Sequence, residues 1–146
     1  MMYLECPEID INVYIEQLVK EREPGKNADL FLDIKDIWKK RAQDYFLAKG
    51  DPSIIKTTDE FNGGKKAMIN LYSSPLVGSV QKLFLVKLRS EAPQLCPACG
   101  EDGRPNTLDH YLPKDPYPEF SVLPNNLFPM CDACQSKKAV KTVNQL

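Results

Sequence analysis

Cys96-Pro97-Ala98-Cys99-Gly100 and Cys131-Asp132-Ala133-Cys134-Gln135-Ser136-Lys137-Lys138, with 31 residues between Cys99 and Cys131, frame the stretch on which the reading of this chain turns. Each C-x-x-C places two thiols on one tight turn, and Gly100 follows where such a turn needs a left-handed residue. Two such pairs suit a tetrahedral thiolate site, for which zinc is the common occupant. The chain has no stretch with the regions of a signal peptide and no apolar run of membrane-spanning length, so a cytoplasmic location and free thiols are expected rather than disulfides. A structural Zn²⁺ on Cys96, Cys99, Cys131 and Cys134 is the expectation, with a redox-active pair as the alternative. Cys6 reads as a bystander. An ordinary zinc ribbon leaves only ~15–20 residues between its pairs, so the longer gap must hold something else.

The gap holds Thr107-Leu108-Asp109-His110-Tyr111-Leu112-Pro113-Lys114, and then Tyr117 to Met130. His110 is the single histidine of the chain and directly follows an aspartate. A lone histidine on a short apolar segment is more often structural than functional. Enclosed between two metal-type cysteine pairs, it becomes a candidate for chemistry.

Outward from this stretch the texture changes near Glu91-Ala92-Pro93-Gln94, which suggests a helical region at 1–90 and a smaller module at 91–146. In the first region Ile9, Val13, Leu18 and Val19 recur near helical spacing until Pro24-Gly25. A second helix is expected from Leu30 to Lys49, its stripe made of Phe31, Ile34, Ile37, Trp38, Ala42, Tyr45 and Phe46 and its stop made by Gly50-Asp51-Pro52. A third is expected to open at Thr58 and run to Tyr72, weakened by Gly63-Gly64. Leu76 to Leu88 reads as a fourth helix, although its apolar residues also suit a buried strand. The aromatic residues, Trp38 included, are expected in the core. With 146 residues, 42% of them hydrophobic and 27% charged, the chain is neither disordered, fibrous nor a membrane protein. Nineteen basic and twenty acidic side chains give a net charge of -1, so no global positive field points to nucleic acid.

The run from Cys96 to Lys138, C-P-A-C-G, then L-D-H-Y-L-P-K, then N-N-L-F-P-M-C-D-A-C-Q-S-K-K, resembles the HNH endonucleases over roughly the last third of the chain. The resemblance implies a β-hairpin followed by a helix around a catalytic metal. The expected fold class is therefore α+β: a mostly helical N-terminal part followed by a small zinc-stapled ββα-metal module. It also implies roles. His110 is the general base that takes a proton from the attacking water, and an unperturbed imidazole titrates near ~6.5. Asp109 matches the carboxylate ligand of Mg²⁺ or another divalent cation. Asn126 matches the middle asparagine, whose side chain bonds backbone beside the histidine, with Asn125 as the candidate if the register slips by one. Gln135 departs from the pattern, because the residue after the fourth cysteine is usually His or Asn and supplies the second ligand of the catalytic ion. Glutamine offers the same amide oxygen on a longer arm, which leaves both coordination and failure to coordinate open.

Arg104, Lys114, Lys137, Lys138 and Lys141 are expected to contact backbone phosphates, which position a nucleic acid without reading it. Residues 91–146 nevertheless hold five basic and seven acidic groups, a net of -2. Additional affinity is expected from the N-terminal part, with clusters such as Lys39-Lys40-Arg41 and Lys65-Lys66, or from a partner protein. The expected function is a metal-dependent DNA endonuclease. The alternatives are a non-catalytic zinc module that binds nucleic acid or protein, and an RNA-cutting toxin or anti-phage effector working with a partner such as an ATPase.

Overall fold

The computed structural model describes residues 10–76, 78–90 and 107–130. Helix α1 spans Ile11–Glu21 and begins where Asp10 caps it, the Asp10 carboxylate accepting from the backbone of Asn12 (3.0 Å) and Val13 (3.2 Å). Helix α2 spans Ala28–Ala48 and ends on Lys49 in the left-handed region, φ 54°, followed by Gly50 at φ 71°. Gly50 is needed for a second reason: a Cβ there would fall 2.8 Å from the Tyr45 hydroxyl.

Helix α3 spans Lys65–Ser73, preceded by a 3-10 turn at Asn62–Gly64. It starts later than the expected Thr58, because the Thr58 hydroxyl instead accepts from Glu60 N (3.4 Å) in a local turn and the glycine pair delays the helix. Gly64 lies against Leu30, whose side chain leaves only 3.0 Å for a Cβ. Helix α4 spans Val80–Ser90, which resolves the helix-or-strand ambiguity of that segment in favour of helix. The Ser79 hydroxyl accepts from Lys82 N (3.1 Å), and both Glu21 carboxylate oxygens, at the end of α1, accept from Val80 N at 3.1 Å. A carboxylate at the N-terminus of α4 also complements the dipole of that helix.

The α2 stripe is narrower than the sequence suggests. Phe31, Trp38, Ala42 and Tyr45 are buried, whereas Ile37 and Phe46 are 40% and 60% exposed. Each of those two is one residue, about 100° of helix rotation, away from the inward line. Tyr14, Ile15, Leu18 and Val19 of α1 and Met68 and Leu71 of α3 complete the helical side of the core.

Strands β1 (Thr107–His110) and β2 (Leu127–Met130) pair antiparallel, with Asp109 opposite Phe128 and His110 opposite Leu127. Leu85 of α4 packs with Leu108 and Leu127 behind this ribbon. Between the strands, 3-10 turns at Pro118–Phe120 and Pro124–Asn126 carry Phe120, Val122 and Leu123 into the helical core. One core therefore takes residues from both sides of the boundary expected at 90/91. Full burial of an aromatic or aliphatic side chain such as Trp38 or Phe120 contributes on the order of 1.5–3 kcal/mol, so the helices and the 107–130 segment hold each other together. The architecture is α+β. Among the described residues no helix is long and apolar enough to cross a membrane.

Candidate functional site

Strand alternation sets the site. Leu108 and His110 share the inward face of β1 and are 3% and 4% exposed, while Asp109 takes the opposite face and is half-buried. Asp109 Oδ1 accepts from the backbone N–H of His110 at 2.8 Å, and Oδ2 is shielded from solvent.

Helix α3 and the segment between the strands close around the His110 ring. Its Nε2–H donates to the Ser121 carbonyl at 2.8 Å, and the Ser121 hydroxyl donates to the Met68 carbonyl of α3 at 3.1 Å. Tyr72, one turn further along α3, meets the imidazole edge-to-face, with centroids 4.5 Å apart at 74°. The Tyr72 hydroxyl reaches back to the Leu108 carbonyl at 3.4 Å, and the Lys114 ammonium lies 5.6 Å from the Tyr72 ring centroid.

Asn126 is fully buried and ties the other end of the loop. Its Oδ1 accepts from Leu112 N at 2.8 Å, and its Nδ2 donates to the carbonyls of Leu112 (3.0 Å) and Phe120 (3.1 Å). The Tyr45 hydroxyl lies 3.1 Å from both Asn126 Oδ1 and the Asn125 carbonyl. Tyr111 N donates to the Asn126 carbonyl at 2.9 Å, so the residue after the histidine is tied to the same asparagine. Asn125 does not share this part. Its Oδ1 is buried with no hydrogen-bond partner among the described residues.

Beneath the loop, Glu119 is 1% exposed and pairs with Arg41 at 2.9 Å, while its backbone carbonyl accepts from Trp38 Nε1 at 2.8 Å. Burial raises the Glu119 carboxyl above its ordinary value, and the Arg41 guanidinium opposes that shift without cancelling it. Arg41 also lies over the Phe120 ring at 5.3 Å.

The structure thus gathers His110, Asp109, Asn126 and Lys114 within one short loop system. Cys96, Cys99, Cys131, Cys134, Gln135, Arg104, Lys137, Lys138 and Lys141 lie outside the described residues, as does the helix expected after the hairpin. Among the described residues no group of three or more His, Cys, Asp or Glu side chains converges on a metal position, and Asp109 is the one described residue of the expected catalytic ligand pair. Sequence reasoning missed Tyr72, Tyr45 and Ser121. Tyr72 falls one helical turn after Met68, but nothing in spacing pairs α3 with a histidine 38 positions away.

No protein-family model matches the chain, and no solved structure matches it. Over 39 residues, 27% of its length, the chain is 54% identical to Protein ea31 of Escherichia phage lambda. The similar stretch is 13% of that protein's length, so the chain spans only a small part of the phage relative.

Proposed function

We propose that the chain is a metal-dependent endonuclease that hydrolyses DNA phosphodiester bonds, with His110 as the general base of an HNH-like, zinc-stapled module. The observation that carries this reading is the clamp on the imidazole. A proton on Nε2, donated to the Ser121 carbonyl, makes Nδ1 the acceptor nitrogen of the ring, and Tyr72 fixes the direction in which it points. A base that must meet a water at hydrogen-bond distance requires that kind of fixed geometry. Asn126 holds the backbone on which His110 is mounted. Asp109, with Gln135 as the second ligand, would hold the divalent ion, which when bound stabilises charge on the phosphate and the departing 3′ oxygen. Cys96, Cys99, Cys131 and Cys134 would hold the zinc that closes the module.

The test is cleavage of supercoiled plasmid by the purified chain with Mg²⁺, Mn²⁺ or Ni²⁺. Nicked or linear product is expected, with about one zinc per chain. His110→Ala should remove the product while leaving zinc content and the folded state in place. Absence of cleavage with every metal sinks the nuclease reading, and cleavage of RNA alone moves it to the RNA-cutting alternative. The second reading, a non-catalytic zinc module, is favoured by the 4% exposure of His110, which is also how a structural histidine is housed. In that reading no metal supports cleavage and His110→Ala costs stability alone.

A further inference from the structure

We propose that the outer side of α3 is a track for the phosphodiester backbone of duplex DNA leading to His110. The proposal rests on the nuclease reading for its substrate. Its core is an open groove of about 460 Å³ whose lining includes Lys65, Lys66, Ile69, Asn70, Ser73 and Asp115.

Charge bookkeeping singles out this surface. Of the two basic clusters in the N-terminal region, Lys39-Lys40-Arg41 has two of its three cations committed. Lys39 pairs with Glu16 and Arg41, whose side chain is 15% exposed, with buried Glu119, which leaves Lys40, in an exposed pair with Asp44 at 3.3 Å, as its one cation open to a phosphate. Lys65, by contrast, pairs at 3.2 Å with Asp115, whose side chain is 84% exposed, and Lys66 is exposed with no ion pair among the described residues. A pair as exposed as Lys65–Asp115 contributes little, so its ammonium is readily redirected to a phosphate.

The helix that carries the groove is the one whose Tyr72 rests on His110 and whose Met68 carbonyl holds Ser121. Ser73 in the groove follows Tyr72, and Asp115 follows Lys114, which lies over the Tyr72 ring. Lys66 and Tyr72 are six positions apart on α3, about 9 Å along a helix axis. They also lie about 120° apart around the helix, so the backbone would pass from the outer side of α3 round toward the Tyr72 side, with Lys66 gripping it several nucleotides from the scissile bond. Ammonium, amide and hydroxyl groups are the usual phosphate contacts, and the groove offers no aromatic ring for base stacking, so it positions without reading sequence.

The test is fluorescence anisotropy of the full chain with a short fluorescein-labelled DNA duplex, without added divalent metal so that binding is read apart from cleavage. Losing one phosphate contact at Lys66→Ala should weaken binding roughly five- to tenfold near ~0.1 M salt and make the log–log salt slope shallower by ~0.9. Lys66→Glu should weaken it further, and Lys40→Ala should leave it unchanged. Melting curves should coincide for all three variants, because both lysines are exposed. The track is refuted if both Lys66 variants bind as the wild type does, if the wild type does not bind the duplex, or if it binds an RNA duplex of the same sequence more tightly. Plasmid cleavage with silent Lys66 variants removes the track alone. Loss of binding at Lys66 with no cleavage under any metal keeps the track and removes the nuclease.

Discussion

Replacing Asn126 by alanine tests the physical account of the site most directly, because this side chain uses all its bonding capacity on buried partners. The variant orphans the Leu112 N–H and the Leu112 carbonyl, to which Asn126 is the only partner given by the described structure. Two other partners survive: the Tyr45 hydroxyl keeps the Asn125 carbonyl, and the Phe120 carbonyl still accepts from Leu123 N at 3.2 Å. At ~1–3 kcal/mol for each buried group left unsatisfied, the expected loss is ~2–6 kcal/mol. That is a large share of the ~5–15 kcal/mol by which a domain is stable. Urea unfolding reads it cleanly: with a slope of about 2 kcal/mol per M, the midpoint should fall by ~1–3 M while the slope stays fixed. Asn125→Ala is the internal comparison. It removes a carbonyl oxygen that has no partner among the described residues, so its midpoint should move by less than ~0.3 M or rise slightly. Equal effects at the two positions, or a larger one at Asn125, would falsify the assignment of Asn126 as the residue that stitches the loop.

The remaining predictions concern three neighbours. Burial raises the Glu119 carboxyl above its ordinary value of 4.5, so the folded chain binds that proton more tightly than the unfolded one. The associated stability is fully present below the unfolded value and is lost as pH rises through the raised folded value; Glu119→Gln should flatten that decline in a series of melts, and an unchanged pH profile would count against it. Burial first, and Glu21 second, push the Tyr14 hydroxyl well above the usual tyrosine range, and the hydroxyl donates to the Val122 carbonyl at 2.8 Å. Tyr14→Phe should therefore cost ~1–2 kcal/mol in urea unfolding, and no measurable loss would refute the bond's contribution. If plasmid cleavage is found, Tyr72→Phe, which keeps the ring on His110, should cleave nearly as the wild type does. Tyr72→Leu should lower kcat about tenfold with little change in KM, and an effect on KM alone would show that Tyr72 does not position the base.

Much of this arrangement was legible in the residues. The four helices follow from local spacing and punctuation, whereas the Asp109-His110 step and Asn126 stand out through the resemblance to HNH endonucleases. The shift of the α3 start from Thr58 to Lys65 shows the limit of propensity, since a local hydroxyl turn and two glycines outweighed a plausible cap. Ile37 and Phe46 show another limit: an apolar residue one step off the inward line satisfies a pattern without being buried. The partners of His110 and Asn126 were illegible for a different reason. Tyr72, Ser121 and Tyr45 reach the site through tertiary packing over 11 to 81 positions, and no local rule encodes such a meeting. The two basic clusters are likewise equivalent in sequence, and only the tertiary pairs of Lys39 with Glu16 and Arg41 with Glu119 separate them.

The bond between Tyr14 and Val122 joins residues 108 positions apart. On a ribosome adding ~5–20 residues per second, the first partner waits about 5–20 s for the second to be made. Helices α1 to α3 can assemble in that interval, but the wall that aims His110 cannot close until residues 107–130 have emerged and docked. Order of synthesis therefore acts as a timer. The growing chain carries the two halves of the His110 clamp in separate places, and they meet only after Ser121 has followed α3 off the ribosome.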